Sequence, residues 1–129
     1  MNTLQTKIAD EIMKLHAYET ERTQYMHIRQ TNIKHYPYDH LANLNTRITM
    51  VESWISMLPE REGFAVRRHL ADGLDWVQVV HEYKEKWGEE NGRSERTLVR
   101  YQTRALQRIE RFVQEHVDWY TELLGITVA

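Results

Sequence analysis

Apolar positions recur along the chain at spacings of three and four, the period of an amphipathic helix. The clearest case is Leu41, Leu44, Ile48, Val51, Ile55 and Leu58, with successive spacings of three, four, three, four and three. This unbroken a/d seam predicts one helix, and it suits packing inside the chain as well as a subunit interface. Upstream, Leu4, Ile8, Ile12, Leu15, Met26 and Ile33 share another face, interrupted by Glu19 and Arg22. A helix with a kink or partner contact near its middle is expected there, with Glu19 and Arg22 spaced to pair. The segment His35-Tyr36-Pro37-Tyr38-Asp39-His40 breaks it, because proline disfavours helical geometry in the residue before it.

Past the seam, Leu58-Pro59-Glu60 stops one helix and opens a short one expected from about Glu60 to Ala71. Asp72-Gly73-Leu74 reads as a tight turn, and Asp75 caps a helix on which Trp76, Val80, Tyr83 and Trp87 share a face that Gly88 terminates. Ser94 is the next N-cap, opening a pattern that continues to Gly125. A single helix of that span would be roughly 46 Å long at 1.5 Å per residue. Its apolar face would carry Leu98, Tyr101, Ala105, Ile109, Phe112, His116, Trp119 and Leu123, with Arg96, Arg100, Arg104 and Arg111 near the opposite side. Asp72-Gly73 and Asn91-Gly92 both lie between helical stretches and join no pair of strands, so the fold class is all-α.

Composition narrows the function. The 129 residues suit one compact unit, and 41% hydrophobic content with four Trp and seven Tyr supplies a core. No run is long and apolar enough for a membrane span, and MNTLQTKIADEI lacks the pattern of a secretion signal, so a cytoplasmic protein is expected. With no cysteine, disulfides, thiolate metal sites and cysteine nucleophiles are excluded. His35, Asp39 and His40, loosely joined by His27, are the one group resembling metal ligands, yet their spacing matches no metal motif and a solvated loop is the better reading. No Gly-rich phosphate loop, nucleophile elbow or selected triad is present, so no cofactor, no metal and no enzymatic activity are expected.

Charge supplies the positive clue. The net charge is -2, but residues 93–111 hold six arginines against Glu95 and Glu110. Two short helices, a Gly-containing turn and a third helix opened by Ser94 have the form of a helix-turn-helix, whose last helix enters the DNA major groove. Arginine suits that place, because its planar fork bonds guanine bidentately or clamps a phosphate. Arg96, Arg100 and Arg104 are aligned by spacings of four, with Thr103 and Gln107 on the same side. Taken alone, such a stripe is more often a solvated helix face. Trp76, Val80, Tyr83 and Trp87 read as core and not as a base-stacking platform.

Leu58-Pro59-Glu60-Arg61-Glu62, Asp72-Gly73-Leu74-Asp75, Ser94-Glu95-Arg96-Thr97 and Arg104-Ala105-Leu106 resemble the promoter-reading fourth region of bacterial sigma factors over about residues 58 to 110. Ser94-Glu95-Arg96-Thr97 followed by Arg100-Tyr101, with Tyr36-Pro37-Tyr38 upstream, is similar to the RinA/ArpU-type regulators of phage late genes. The sequence departs from the sigma pattern at Arg68, which replaces an apolar residue, in the longer connection from Trp87 to Ser94, and in the nearby acids Glu82, Glu85, Glu89 and Glu90.

The resemblance implies a helical assembly or partner-binding region over 1–57, a helix-turn-helix over 58–111 and a C-terminal extension over 112–129 packing on the N-terminal helices. It implies a transcriptional regulator, an activator of phage or prophage late packaging or lysis genes. Double-stranded DNA, bacterial RNA polymerase and further copies of the chain are its expected partners. Ser94, Arg96, Thr97, Arg100, Thr103 and Arg104 are the expected DNA-contacting residues, with Arg67, Arg68 and Lys84 as backbone contacts. The alternatives are a phage small terminase subunit reading a packaging site, or a helical adaptor whose arginine face binds an acidic protein.

Overall fold

The computed structural model describes residues 1–29 and 37–125; Ile33, His35 and Tyr36 lie outside the described residues. Within them the fold is all-α, with seven α-helices and no strand. Helix α1 (Thr3–Met13) starts at Asn2, whose side chain accepts a hydrogen bond from the Gln5 N–H at 2.8 Å. α2 (Leu15–Arg29) follows after one interrupting residue, Lys14, whose N–H is shared between the Asp10 and Glu11 carbonyls. The expected single N-terminal helix is therefore two. The reason is burial: Ile8, Ile12 and Leu15 are fully enclosed, whereas Met26 is 55% exposed, so α2 leaves the core and lies along α3. Glu19 and Arg22 do not pair with each other; Glu19 takes His16 and Arg22 reaches Asn45.

The a/d seam forms α3 (Tyr38–Ser56), and Leu44, Ile48, Val51 and Ile55 are buried inside this chain, with Leu58 just beyond the helix. Met50 and Trp54 are buried too, which widens the seam, and the Trp54 indole donates to the Tyr120 hydroxyl at 3.3 Å. α4 (Glu60–Val66) runs into a π-helical turn over Arg67–Ala71, closed by the Asp72 N–H on the Arg67 carbonyl. α5 (Trp76–Trp87) opens with a reciprocal capping box between Asp75 and Gln78 and ends at Gly88, whose φ of 89° is unfavourable for any residue with a Cβ. A 3₁₀ turn over Glu89–Asn91 leads to α6 (Glu95–Glu115), capped by Ser94.

The expected continuous helix to Gly125 is broken at His116, where φ is -127° and ψ is 36°, and α7 (Val117–Leu124) follows. The break serves burial. It brings Tyr120 and Leu124 into the main core, while Trp119, on the apolar face of the expected straight helix, is left 65% exposed. That core joins α1, α3, α4, α6 and α7.

One buried acid ties its edges together. Glu11 accepts from Arg47 at 2.7 Å and from the Tyr18 hydroxyl at 2.8 Å, and Arg47 also donates to the Leu123 carbonyl. A buried carboxylate is tolerable only when paired in this way. Burial, reinforced by the bond to Glu11, pushes the Tyr18 phenol up to about 12.

His16, at the start of α2, bridges to Asp72 at 2.6 Å and so connects the N-terminal helices to the turn before α5. The bond to Asp72 raises the imidazole above its ordinary value, with Glu19 adding to the effect and partial burial opposing it. A raised folded-state value means that the stabilisation is full below the unfolded imidazole value near 6.5 and is lost as pH rises through the folded one. His16→Gln is therefore expected to flatten the fall in melting temperature between about pH 6 and 8. Identical pH profiles for the two proteins would show that the bridge carries no charge-dependent stability.

Candidate nucleic-acid interface

A second, smaller core forms where α4, α5 and α6 meet, from Phe64, Val79, Tyr83 and Leu98, flanked by Leu74, Trp76, Val80, Trp87 and Tyr101. Phe64 meets the Tyr83 and Trp87 rings edge-on, and Arg61 covers the same two rings while bonding the Tyr83 hydroxyl. His69 stacks on Trp76 at 3.8 Å and bonds to Gln102 of α6 at 2.7 Å. The aromatic residues of α5 are thus packing groups that hold α6 against α4 and α5.

That packing points the opposite face of α6 outward. Arg96, Arg100 and Arg104 are all exposed, and none has an ion-pair or hydrogen-bond partner among the described residues. Thr103 is exposed on the same helix, its hydroxyl donating to the Val99 carbonyl at 3.0 Å. Ser94 and Thr97 shape the helix start: the Ser94 hydroxyl accepts from the Thr97 N–H at 3.3 Å, and the two hydroxyls lie 3.1 Å apart.

The remaining expected contacts are differently placed. Arg67 is held by Glu52 at 2.6 Å, and that bond raises its guanidinium further above the ordinary value. Arg68 is shared between Asp72 at 3.0 Å and Glu82 at 3.2 Å, and it lies over the Phe64 ring. The structure therefore gives both arginines bracing roles on the α4 side. Lys84 is exposed and without an acidic partner, its stem passing so close to Gly92 that a Cβ there would stand 3.0 Å from Lys84 Cγ. A larger residue at 92 would require Lys84 and the turn to give by a few tenths of an ångström.

The acids near the connection are partly neutralised. Glu82 faces Arg68, and Glu85 pairs with His81 at 2.9 Å, whereas Glu89 and Glu90 are exposed in the 3₁₀ turn. Two arginines of the 93–111 cluster turn out to be structural. Arg93 donates to the Asn91 and Gly92 carbonyls and clamps the turn, and Arg108 donates from Nε to buried Glu62 at 3.0 Å, joining α6 to α4. Nothing in the sequence marks the second pair, because Glu62 stands beside Glu60 and Arg61 and its burial comes only from packing.

Among the described residues no group of three or more His, Asp or Glu is arranged to hold a metal ion. His40 bonds to Glu21 at 2.6 Å and meets the Tyr25 ring edge-on, while His35 lies outside the described residues. No helix of the described residues is long and apolar enough to cross a membrane. No protein-family model, curated protein or solved structure matches the chain.

The arginines sort into braces and free groups, and stability measures the difference. Arg108→Ala is expected to lower unfolding free energy by about 1–3 kcal/mol, because it strands buried Glu62. Arg104→Ala should stay within about 0.5 kcal/mol of the parent protein. Urea denaturation of the two variants checks this, and equal losses would contradict the sorting.

Proposed function

We propose that this chain is a sequence-specific double-stranded DNA-binding protein whose α6 is the recognition helix. The observation that carries the reading is the row of exposed, unpartnered arginines at 96, 100 and 104, on a helix whose other face is locked into both cores. A row of free arginines in a chain of net charge -2 fits a polyanion. Arg96, Arg100 and Arg104 read base edges or phosphates, Ser94 and Thr97 set the helix start, Thr103 adds a short polar contact, and Lys84 reaches the backbone. The action is binding without covalent chemistry. Regulation of phage or prophage late genes, with bacterial RNA polymerase as a contact, rests on the resemblance of Ser94-Glu95-Arg96-Thr97, Arg100-Tyr101 and Tyr36-Pro37-Tyr38 to the RinA/ArpU-type regulators and is part of the same proposal.

Selection of bound sequences from random duplex DNA tests ligand and specificity together. A single consensus and binding that weakens steeply with salt are expected. Arg100→Ala is expected to lower affinity for that consensus by about 1–3 kcal/mol, roughly 5- to 150-fold, with melting temperature unchanged. Absence of salt-sensitive duplex binding by the parent protein, together with capture of an acidic polypeptide by the same arginines, would replace this reading with that of an adaptor.

A further inference from the structure

On another face of the molecule, α3 and α7 border an open groove of about 490 Å³. None of its lining residues is charged, although 28% of the chain is. Thr46, Thr49 and Ser53 form one wall, Phe112 and Leu123 contribute to the other, and Met50 lies at the bottom. Trp119 stands on the rim, its large ring 65% exposed. Depletion of charge around an exposed aromatic residue is the composition of an interface centre.

The two ends of the groove differ in charge. At one end, Glu122 lies beside Asn43 and Thr46; the only cation there, Arg47, is already taken by buried Glu11. At the other end, Arg111 lies beside Met57, which is 41% exposed, and Phe112; its neighbour Arg108 is taken by Glu62. Arg111 and Glu122 are both exposed and have no ion-pair partner among the described residues. Glu115 shares the Arg111 end without pairing with it.

We infer that this face docks a second copy of the chain. A two-fold axis crossing the middle of the groove sets the copies antiparallel, so that Arg111 of each faces Glu122 of the other and each Trp119 enters the opposite groove. An isologous contact needs a self-complementary patch, and an aromatic knob, an uncharged hollow, the free Arg111 at one end and the free Glu122 at the other provide one. No residue proposed to touch DNA takes part, so this inference stands or falls apart from the DNA reading.

Sedimentation equilibrium of the full chain at micromolar concentrations tests it, with circular dichroism confirming that each variant is folded. The parent protein is expected to be a dimer. Trp119→Ala should raise the dissociation constant roughly thirtyfold, and Thr49→Arg, which places a charge on an exposed position of the uncharged wall, should give monomers. Arg111→Glu and Glu122→Arg should each weaken the dimer about tenfold, and the double reversal should restore it. A parent protein that is monomeric throughout would overturn the inference, as would a dimer indifferent to Thr49→Arg. Failure of the double reversal to restore association would exclude the antiparallel arrangement and with it the proposal.

Discussion

The structure depends on one helix having to satisfy two cores. Leu98 at the start of α6 closes the small aromatic cluster, while Ala105, Leu106, Ile109 and Val113 run through the main core. Burying each of the larger side chains stabilises the fold by about 1.5–3 kcal/mol, so α6 cannot rotate or slide without forfeiting contacts at both ends. The free arginines inherit that rigidity. Their direction is set by a 21-residue helix anchored over most of its length, not by a loop. A rigid support of this kind is what a recognition surface needs if base edges are to be met without an ordering cost.

The same helix explains how six arginines in nineteen positions acquire different roles. Steps of four along an α-helix advance the direction by about 40° beyond a full turn, given 3.6 residues per turn. Arg96, Arg100 and Arg104 therefore drift around the helix, and by Arg108 the side chain has swung about 120° from Arg96. It there meets Glu62 on α4. Arg93 precedes the helix and finds carbonyls of the turn. A row that looks uniform as a string is graded by geometry from solvent to the α4 boundary.

Local signals were legible where local chemistry decides. The caps at Asp75 and Ser94, the stop at Gly88 and the internal seam of α3 all follow from side chains acting within a turn of themselves or from an uninterrupted period. The breaks at Lys14 and His116 were not legible, because neither residue is a helix breaker. Each interruption is imposed by what lies beside the helix: the chain abandons the core after Leu15, and Tyr120 and Leu124 reach the core only by a change of direction. The roles of Arg67 and Arg68 were hidden for the same reason. Glu52 and Glu82 are fifteen and fourteen positions away in sequence from Arg67 and Arg68, and only the packed fold brings them together, whereas the second partner of Arg68, Asp72, stands at the legible spacing of four.

Electrostatics then limits what one copy of the interface can do. Affinity for duplex DNA scales with the number of phosphates neutralised, each contributing separately to the salt dependence. With Arg67, Arg68, Arg93 and Arg108 committed to acids or carbonyls, the cations near the small core that remain free are Arg96, Arg100, Arg104 and Lys84. Glu89 and Glu90 in the connection and Glu95 in the first turn of α6 stand exposed and oppose part of that charge. Four cations against three acids make a weak module on their own, and a rigid one. Rigidity is the property that lets a second module help, because two fixed surfaces joined at a fixed spacing turn the second contact into an intramolecular event. A mobile recognition helix would lose that gain to ordering, so the anchoring of α6 and any benefit from pairing two copies are the same physical requirement.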